Sequence, residues 1–136
     1  MRILALDHGT RRTGVAVCDP TETVVRPLTV VADADGDAGM TAIAGLVLQT
    51  EAELVVVGVP VSLRGGEHGQ AAAARGFAER LASRLGVPLT TYDERFTTRI
   101  AEARGGEQPL DARAAAVLLE DYLTSRRRSR EDVVRC

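Results

Sequence analysis

The feature that most constrains the fold is the run ELVVVG at Glu53–Gly58, which is apolar through its middle and does not alternate with polar residues. Alternation is typical of a strand with one face in water, so a strand without it is expected to be buried on both faces, as in a largely parallel sheet. Such a sheet needs helices on both sides. We therefore expect a layered α/β domain with this strand near its centre.

Three strand-like runs precede it and follow one another closely enough to pair as hairpins. They are Ile3–Asp7, Thr13–Cys18 and Thr23–Val31. Pro27 has no N–H to donate to a sheet ladder, which predicts that the third strand lies at a sheet edge.

The rest of the chain alternates between helical and strand patterns. Apolar residues at helical spacing predict a helix over Met40–Leu48 and a second over Ala74–Leu85, ended by Gly86. Pro88–Tyr92 predicts the next strand, and a short helix follows, capped by Thr97 or Thr98.

A last helix opens at Asp111, which gives the order β-β-β-α-β-α-β-α-α. Three strands in hairpin succession followed by alternating units predict a mixed five-stranded sheet, antiparallel at its start and then parallel, flanked by helices.

Composition restricts the size and the partners of the protein. The 136 residues fit one domain, which we place at 1–125 with a basic, flexible tail over 126–136, and they are too few for two-lobed folds that close around a nucleotide. Aromatic residues are 3% of the chain, so a nucleic acid would be held mainly through its phosphates. The net charge is -2, and all 17 basic residues are Arg, so any basic patch must be local.

Neither a membrane nor an oxidising compartment is indicated. No apolar stretch approaches the roughly 18 to 20 residues that span a bilayer, and the two cysteines form no zinc or disulfide pattern. We expect a cytoplasmic protein with no membrane partner.

The segment LDHGTRRTGVAV carries the first candidate site residue. Asp7 ends a buried strand, and the turn after it offers Gly9, Arg11 and Arg12 as phosphate-binding groups. A carboxylate there suits Mg²⁺ or Mn²⁺, which bind oxygen ligands together with substrate phosphate. The alternative is that Asp7 and Gly9 only shape the turn.

The segment TYDERF carries the second candidate. Strand alternation puts Tyr92 and Glu94 on one face and Asp93 on the other, so only one of the two carboxylates can face the same way as Asp7. The alternative is a solvated strand end bridged by Arg95.

The third candidate is Asp111, which lies on the helical line through Ala115, Leu118 and Tyr122 that is expected to pack on the sheet. A helix N-cap would explain Asp111 almost as well. Three carboxylates brought together repel one another, which favours bound cations, and two metal ions can hydrolyse a phosphodiester by in-line displacement.

Five arginines fall in loops or helix starts near the expected carboxylates, where each could neutralise a phosphate. They are Arg11, Arg12, Arg64, Arg95 and Arg99. The alternative is that some of them pair with the surplus acidic residues.

These segments resemble the YqgF/RuvX family of the RNase H-like superfamily, described as Holliday junction resolvases and pre-16S rRNA processing nucleases. The resemblance covers nearly the whole chain and rests on LDHGTRRTGVAV, VVVGVPVSLRGGEHG, YDERFTT and LDARAAAVLLEDYL, in that order. It implies an Asp-Glu-Asp catalytic set, which maps onto Asp7, Glu94 and Asp111, in a metal-dependent endonuclease acting on structured RNA or branched DNA.

The chain departs from that family in two relevant places. The short segment ARGGEQPL stands where family members often carry Lys and Arg before the final helix, which removes an expected grip on phosphate. His8 stands where an apolar or aromatic residue is expected, and because strand neighbours face opposite ways, we expect it to pack or contact substrate rather than bind metal.

Two other function classes fit parts of the pattern. A non-catalytic nucleic-acid-binding module of the same fold would not need the three carboxylates. An actin-like or sugar-kinase ATPase shares the DxG hairpin but needs a second domain. The sequence does not choose between RNA and DNA junctions, between Mg²⁺ and Mn²⁺, or between monomer and homodimer.

Overall fold

The computed structural model describes residues 1–9, 11–60, 69–94 and 110–134, with the side chains of 110, 111 and 129–134 left aside. The strands are β1 (Ile3–Asp7), β2 (Arg12–Cys18), β3 (Val25–Ala32), β4 (Leu54–Val59) and β5 (Leu89–Asp93). The helices are α1 (Asp37–Thr50), α2 (Gln70–Ala82) and α3 (Leu110–Val134). The short helix predicted after Thr97 lies outside the described residues.

The strands form one five-stranded sheet in the order β3-β2-β1-β4-β5. β1 pairs antiparallel with β2 and β2 with β3, whereas β1 pairs parallel with β4 and β4 with β5. The predicted mixed sheet is therefore confirmed. Pro27 lies in an edge strand as predicted, at a shift in register where Val15 pairs with Thr29 and Ala16 with Pro27. That shift is a bulge, which a strand edge tolerates.

The sheet is covered on both faces. Leu4 and Leu6 pack in one cluster with Phe77 of α2 and Ile43 of α1. On the other face, Ile3, Ala5 and Val56 of the sheet pack against Leu118 of α3. β4 is buried in every residue after Leu54, so the run that lacks alternation is buried on both faces as predicted.

Two helix ends differ from the sequence expectation. α2 ends at Ala82 rather than at Gly86, because the next amides make shorter-range bonds, Arg84 N–H to Leu81 O at 2.9 Å among them. The tail predicted from residue 126 is instead the continuation of α3 as far as Val134. Arginine favours helix, and Arg126 holds this part of α3 to Glu22 at 3.2 Å.

None of the helices described is both long enough and apolar enough to cross a membrane.

Candidate active site

Asp7 is the last residue of β1, and its direction follows from strand alternation. Ile3 and Ala5 face α3, so Asp7 faces α3 as well. Leu6 pairs with Val57 in the parallel register, which puts Asp7 beside Gly58 of β4. Asp7 is only 4% exposed. A buried carboxylate therefore lies at the carboxyl end of β1.

Glu94 follows β5 directly and is 6% exposed. Tyr92 pairs with Gly58 in the register of β4 and β5, so Glu94, two residues later, shares the face of Asp7. A Cβ added to Gly58 would overlap Glu94 Oε1 and come within 3.0 Å of Leu118 Cδ2. The Glu94 carboxylate thus lies over the bare backbone of Gly58.

Gly58 therefore brings the two acids together. Asp7 lies one strand away from Gly58, and neighbouring strands are about 4.8 Å apart. The carboxylate of Glu94 crosses the position that a side chain of β4 would otherwise fill. Sequence reasoning missed Gly58 as a site residue, although a glycine inside a buried strand is a signal of close approach by another group.

Helix α3 runs toward this edge of the sheet. Arg126 contacts Glu22, in the turn after β2 at the far end of the sheet, whereas Leu118 packs over Gly58. Continuing in the same direction, Asp111 lies seven residues before Leu118, about 10 Å further along the helix axis at 1.5 Å per residue. Asp111 is the second residue of α3, and its side chain lies outside the part of the chain that the structure describes.

Tyr92 packs beside the acids on the α3 side. Its ring meets Tyr122 edge to face, with centroids 5.8 Å apart. Burial raises the pKa of Tyr92, and the carboxylates of Asp121 and Asp93 raise it further. The phenol therefore stays protonated at neutral pH and can donate a hydrogen bond.

The predicted phosphate-binding residues are only partly described. Arg11 and Arg12 are exposed where the turn after β1 leads into β2, and Gly9 is required there, because a Cβ would overlap the carbonyl oxygen of Arg12. The remaining candidates of this kind lie outside the described residues: Arg64, Arg95 and Arg99.

His8 lies on the face opposite Asp7. Its ring stacks on Phe77 with centroids 4.6 Å apart, and its Nε2 is 2.9 Å from Asp35 Oδ2. This geometry agrees with the packing role, one of the two roles expected for His8, and contact with substrate stays a prediction.

The donor set at the edge suits a hard divalent cation. Two buried carboxylates share one face of the sheet: Asp7 is in register beside Gly58, and Glu94 fills the space left by the missing Cβ of Gly58. Mg²⁺ and Mn²⁺ favour such oxygen ligands. Among the side chains that the structure describes, no three His, Cys, Asp or Glu residues are grouped to hold a metal. The described part thus contains the side chains of two of the three carboxylates predicted as ligands, Asp7 and Glu94.

Comparison with known proteins agrees with the fold. The family model described as "RuvX: Holliday junction resolvase" matches residues 1–125. A protein of Anaeromyxobacter sp. (strain Fw109-5) named "Putative pre-16S rRNA nuclease" is 40% identical over 135 residues, covering 93% of this chain and 98% of its own. A protein of the same name from Thermobifida fusca (strain YX) is 42% identical over 144 residues, covering 93% and 89%.

Among solved structures, RuvC of T. thermophilus in complex with a Holliday junction substrate superposes with a TM-score of 0.57 at 22% identity, covering 93% of this chain and 95% of its own. The fowlpox virus Holliday junction resolvase gives a TM-score of 0.55 at 13% identity, covering 92% and 99%. These likenesses show the shared RNase H-like fold. The sequence matches over most of its length establish that the chain belongs to the RuvX family, a family of nucleases that hydrolyse phosphodiester bonds.

Proposed function

We propose that this protein is a metal-dependent endonuclease that processes the 5′ end of pre-16S rRNA. The observation that carries the proposal is the burial of Asp7 and Glu94 on one face of the sheet, with Asp7 in register beside Gly58 and Glu94 over Gly58. Relatives at 40% and 42% identity bear the name of a pre-16S rRNA nuclease, which favours structured RNA over a DNA junction as the substrate.

The catalytic set would be Asp7, Glu94 and Asp111, which would hold Mg²⁺ or Mn²⁺. Two such ions supply activation of the attacking water and charge stabilisation at the leaving oxygen. In the reaction a water loses a proton and its oxygen bonds to phosphorus, while the bond from phosphorus to the leaving oxygen breaks. One product keeps the phosphate, and the other ends in a hydroxyl.

The sheet would hold both carboxylates in fixed orientations before substrate binds. Fewer groups would then have to reorient during the reaction. Arg11 and Arg12 are exposed beside Asp7 and would contact the phosphates on either side of the cleaved bond. Arg64, Arg95 and Arg99 are proposed as further phosphate contacts. A precursor rRNA substrate implies that the protein works in the cytoplasm.

The test is cleavage of a pre-16S rRNA fragment and a four-way DNA junction in parallel, with Mg²⁺ or Mn²⁺. Asp7→Asn and Glu94→Gln should each reduce cleavage by more than the roughly 10- to 100-fold that loss of an outer-shell partner costs. Glu53→Gln, at an exposed position before β4, is the matched control and should cleave as wild type.

Each outcome decides between the candidates. Cleavage of the RNA alone supports the proposal. Cleavage of the junction alone assigns the protein as a resolvase, and a dimer in solution would then be expected, because paired cuts need a symmetric pair. Binding without cleavage under either metal would assign it as a non-catalytic nucleic-acid-binding module.

A further inference from the structure

Two turns next to the end of β1 are hydrogen-bonded to each other. The turn between β1 and β2 begins at His8, and the turn between β3 and α1 contains Asp33 and Asp35. The amide of Asp33 donates to the carbonyl oxygen of Arg11 at 2.9 Å, and His8 Nε2 is 2.9 Å from Asp35 Oδ2. One backbone bond and one side-chain bond therefore connect the turn after β1 to the turn before α1.

The His8 ring is held on two sides. Its side chain is 4% exposed and stacks on Phe77 with an interplanar angle of 28°. The other carboxylate oxygen of Asp35 binds Arg80 at 2.9 Å, and both Phe77 and Arg80 belong to α2. The imidazole is thus held by α2 and by the turn that precedes α1, on the face opposite Asp7.

We propose that His8 is a positioning residue for the candidate metal centre, acting through its bond to Asp35. Asp7 and His8 are consecutive residues at the end of β1 and point to opposite faces, so they share one peptide unit. Fixing the ring of His8 fixes that peptide unit and with it the direction of the Asp7 side chain toward Glu94. The inference rests on the proposed function, because it concerns the same carboxylates.

The experiment compares Asp35→Ala with Asp37→Ala. Asp37 forms a similar exposed ion pair from α1 to Arg84, just after the end of α2, but it makes no bond to His8. Two variants of His8 separate its contacts: His8→Phe keeps a ring against Phe77 and loses the bond to Asp35, whereas His8→Gln keeps a donor for Asp35 and loses the ring. All are measured for Mn²⁺ binding by electron paramagnetic resonance, and for hydrogen exchange of the amides of residues 7–9 without metal.

We expect Asp35→Ala and His8→Phe to weaken Mn²⁺ binding about tenfold and to speed exchange at residues 7–9. His8→Gln and Asp37→Ala should bind Mn²⁺ as wild type. The proposal is overturned if Asp35→Ala binds Mn²⁺ normally, or if Asp37→Ala weakens binding equally, since the effect would then come from general loosening of α1 on α2.

Failure of the proposed function would give a different result in the same measurements. In that case wild type itself would show no Mn²⁺ binding that Asp7→Asn removes. The exchange measurement would still decide on His8, because unchanged exchange at residues 7–9 in Asp35→Ala would show that the bond does not hold the end of β1.

Discussion

At the scale of single residues, the candidate site depends on a glycine, Gly58, which has no side chain. Glu94 and Leu118 both occupy the space next to Gly58 that a Cβ would take. Both contacts are with the ends of flexible side chains, so an added Cβ would displace the Glu94 carboxylate and a Leu118 methyl group within a buried region. Gly58 therefore links the packing of α3 to the placement of the Glu94 carboxylate.

We predict that Gly58→Ala will destabilise the fold by about 1–3 kcal/mol, the usual cost of overpacking a core, and will weaken Mn²⁺ binding because Glu94 must move. Urea unfolding and metal titration measure the two effects. The control is Gly45→Ala in α1, where an added Cβ meets nothing within 4 Å. That change should stabilise the helix by about 0.5–1 kcal/mol. Normal Mn²⁺ affinity in Gly58→Ala would contradict the role given to the glycine.

At the scale of elements, the turn between β2 and β3 is bound to the part of α3 around Arg126. Asp19 organises this turn by accepting the amides of Thr23 at 2.8 Å and Val24 at 2.9 Å. In the same turn, Glu22 binds the amino group of Met1 and the guanidinium of Arg126, both at 3.2 Å. Chain start, hairpin and α3 are thus joined at the end of the sheet away from the acids.

Asp19 should make stability depend on acid pH. Hydrogen bonds from the Thr21 hydroxyl and the Val24 amide hold the pKa of Asp19 well below its usual 3.8. A lowered pKa in the folded state contributes stability above pH 3.8, and that contribution is lost as the pH falls further. Asp19→Asn should therefore lower the free energy of unfolding at pH 7 and flatten its decline below pH 4, as measured by urea unfolding across pH. Glu53→Gln should keep the wild-type decline; an equal decline in Asp19→Asn would refute the assignment.

At the scale of the whole molecule, the arginines that the structure describes differ in whether they form ion pairs. Arg2, Arg80, Arg84 and Arg126 are held in ion pairs with acidic residues. Arg11 and Arg12, beside Asp7, are exposed and make no side-chain ion pair in the part of the chain that the structure describes. With a net charge of -2, attraction for a polyanion must come from such exposed groups.

Replacing Arg11 and Arg12 together by Ala should weaken RNA binding and reduce its salt dependence. The slope of log K against log salt should fall by about 0.7 to 0.9 for each phosphate that the double variant fails to neutralise. Arg84→Ala removes an arginine of the paired group and should leave the slope unchanged. Filter binding at several salt concentrations measures both; an unchanged slope in the double variant would show that the turn after β1 does not touch phosphate.

Much of this arrangement could be predicted because it follows from local periods in the chain. The run Glu53–Gly58 indicated a strand buried on both faces, and Pro27 indicated an edge. Alternation indicated that only one of Asp93 and Glu94 can share the face of Asp7, and the register of β4 with β5 shows that it is Glu94. The continuation of α3 past residue 126 was not predicted, because the contacts that hold it there, Arg126 with Glu22, join positions far apart in sequence.

The sequence by itself determined which residues form strands and helices and which face each one presents, because side-chain direction repeats every two residues in a strand and every 3.6 in a helix. Only the tertiary structure decided that Glu94 lies over Gly58 and that His8 reaches Asp35. Those contacts depend on the register between strands and on how the helices pack. Register and packing arise from many weak contacts across the whole domain, so no local sequence pattern predicts them.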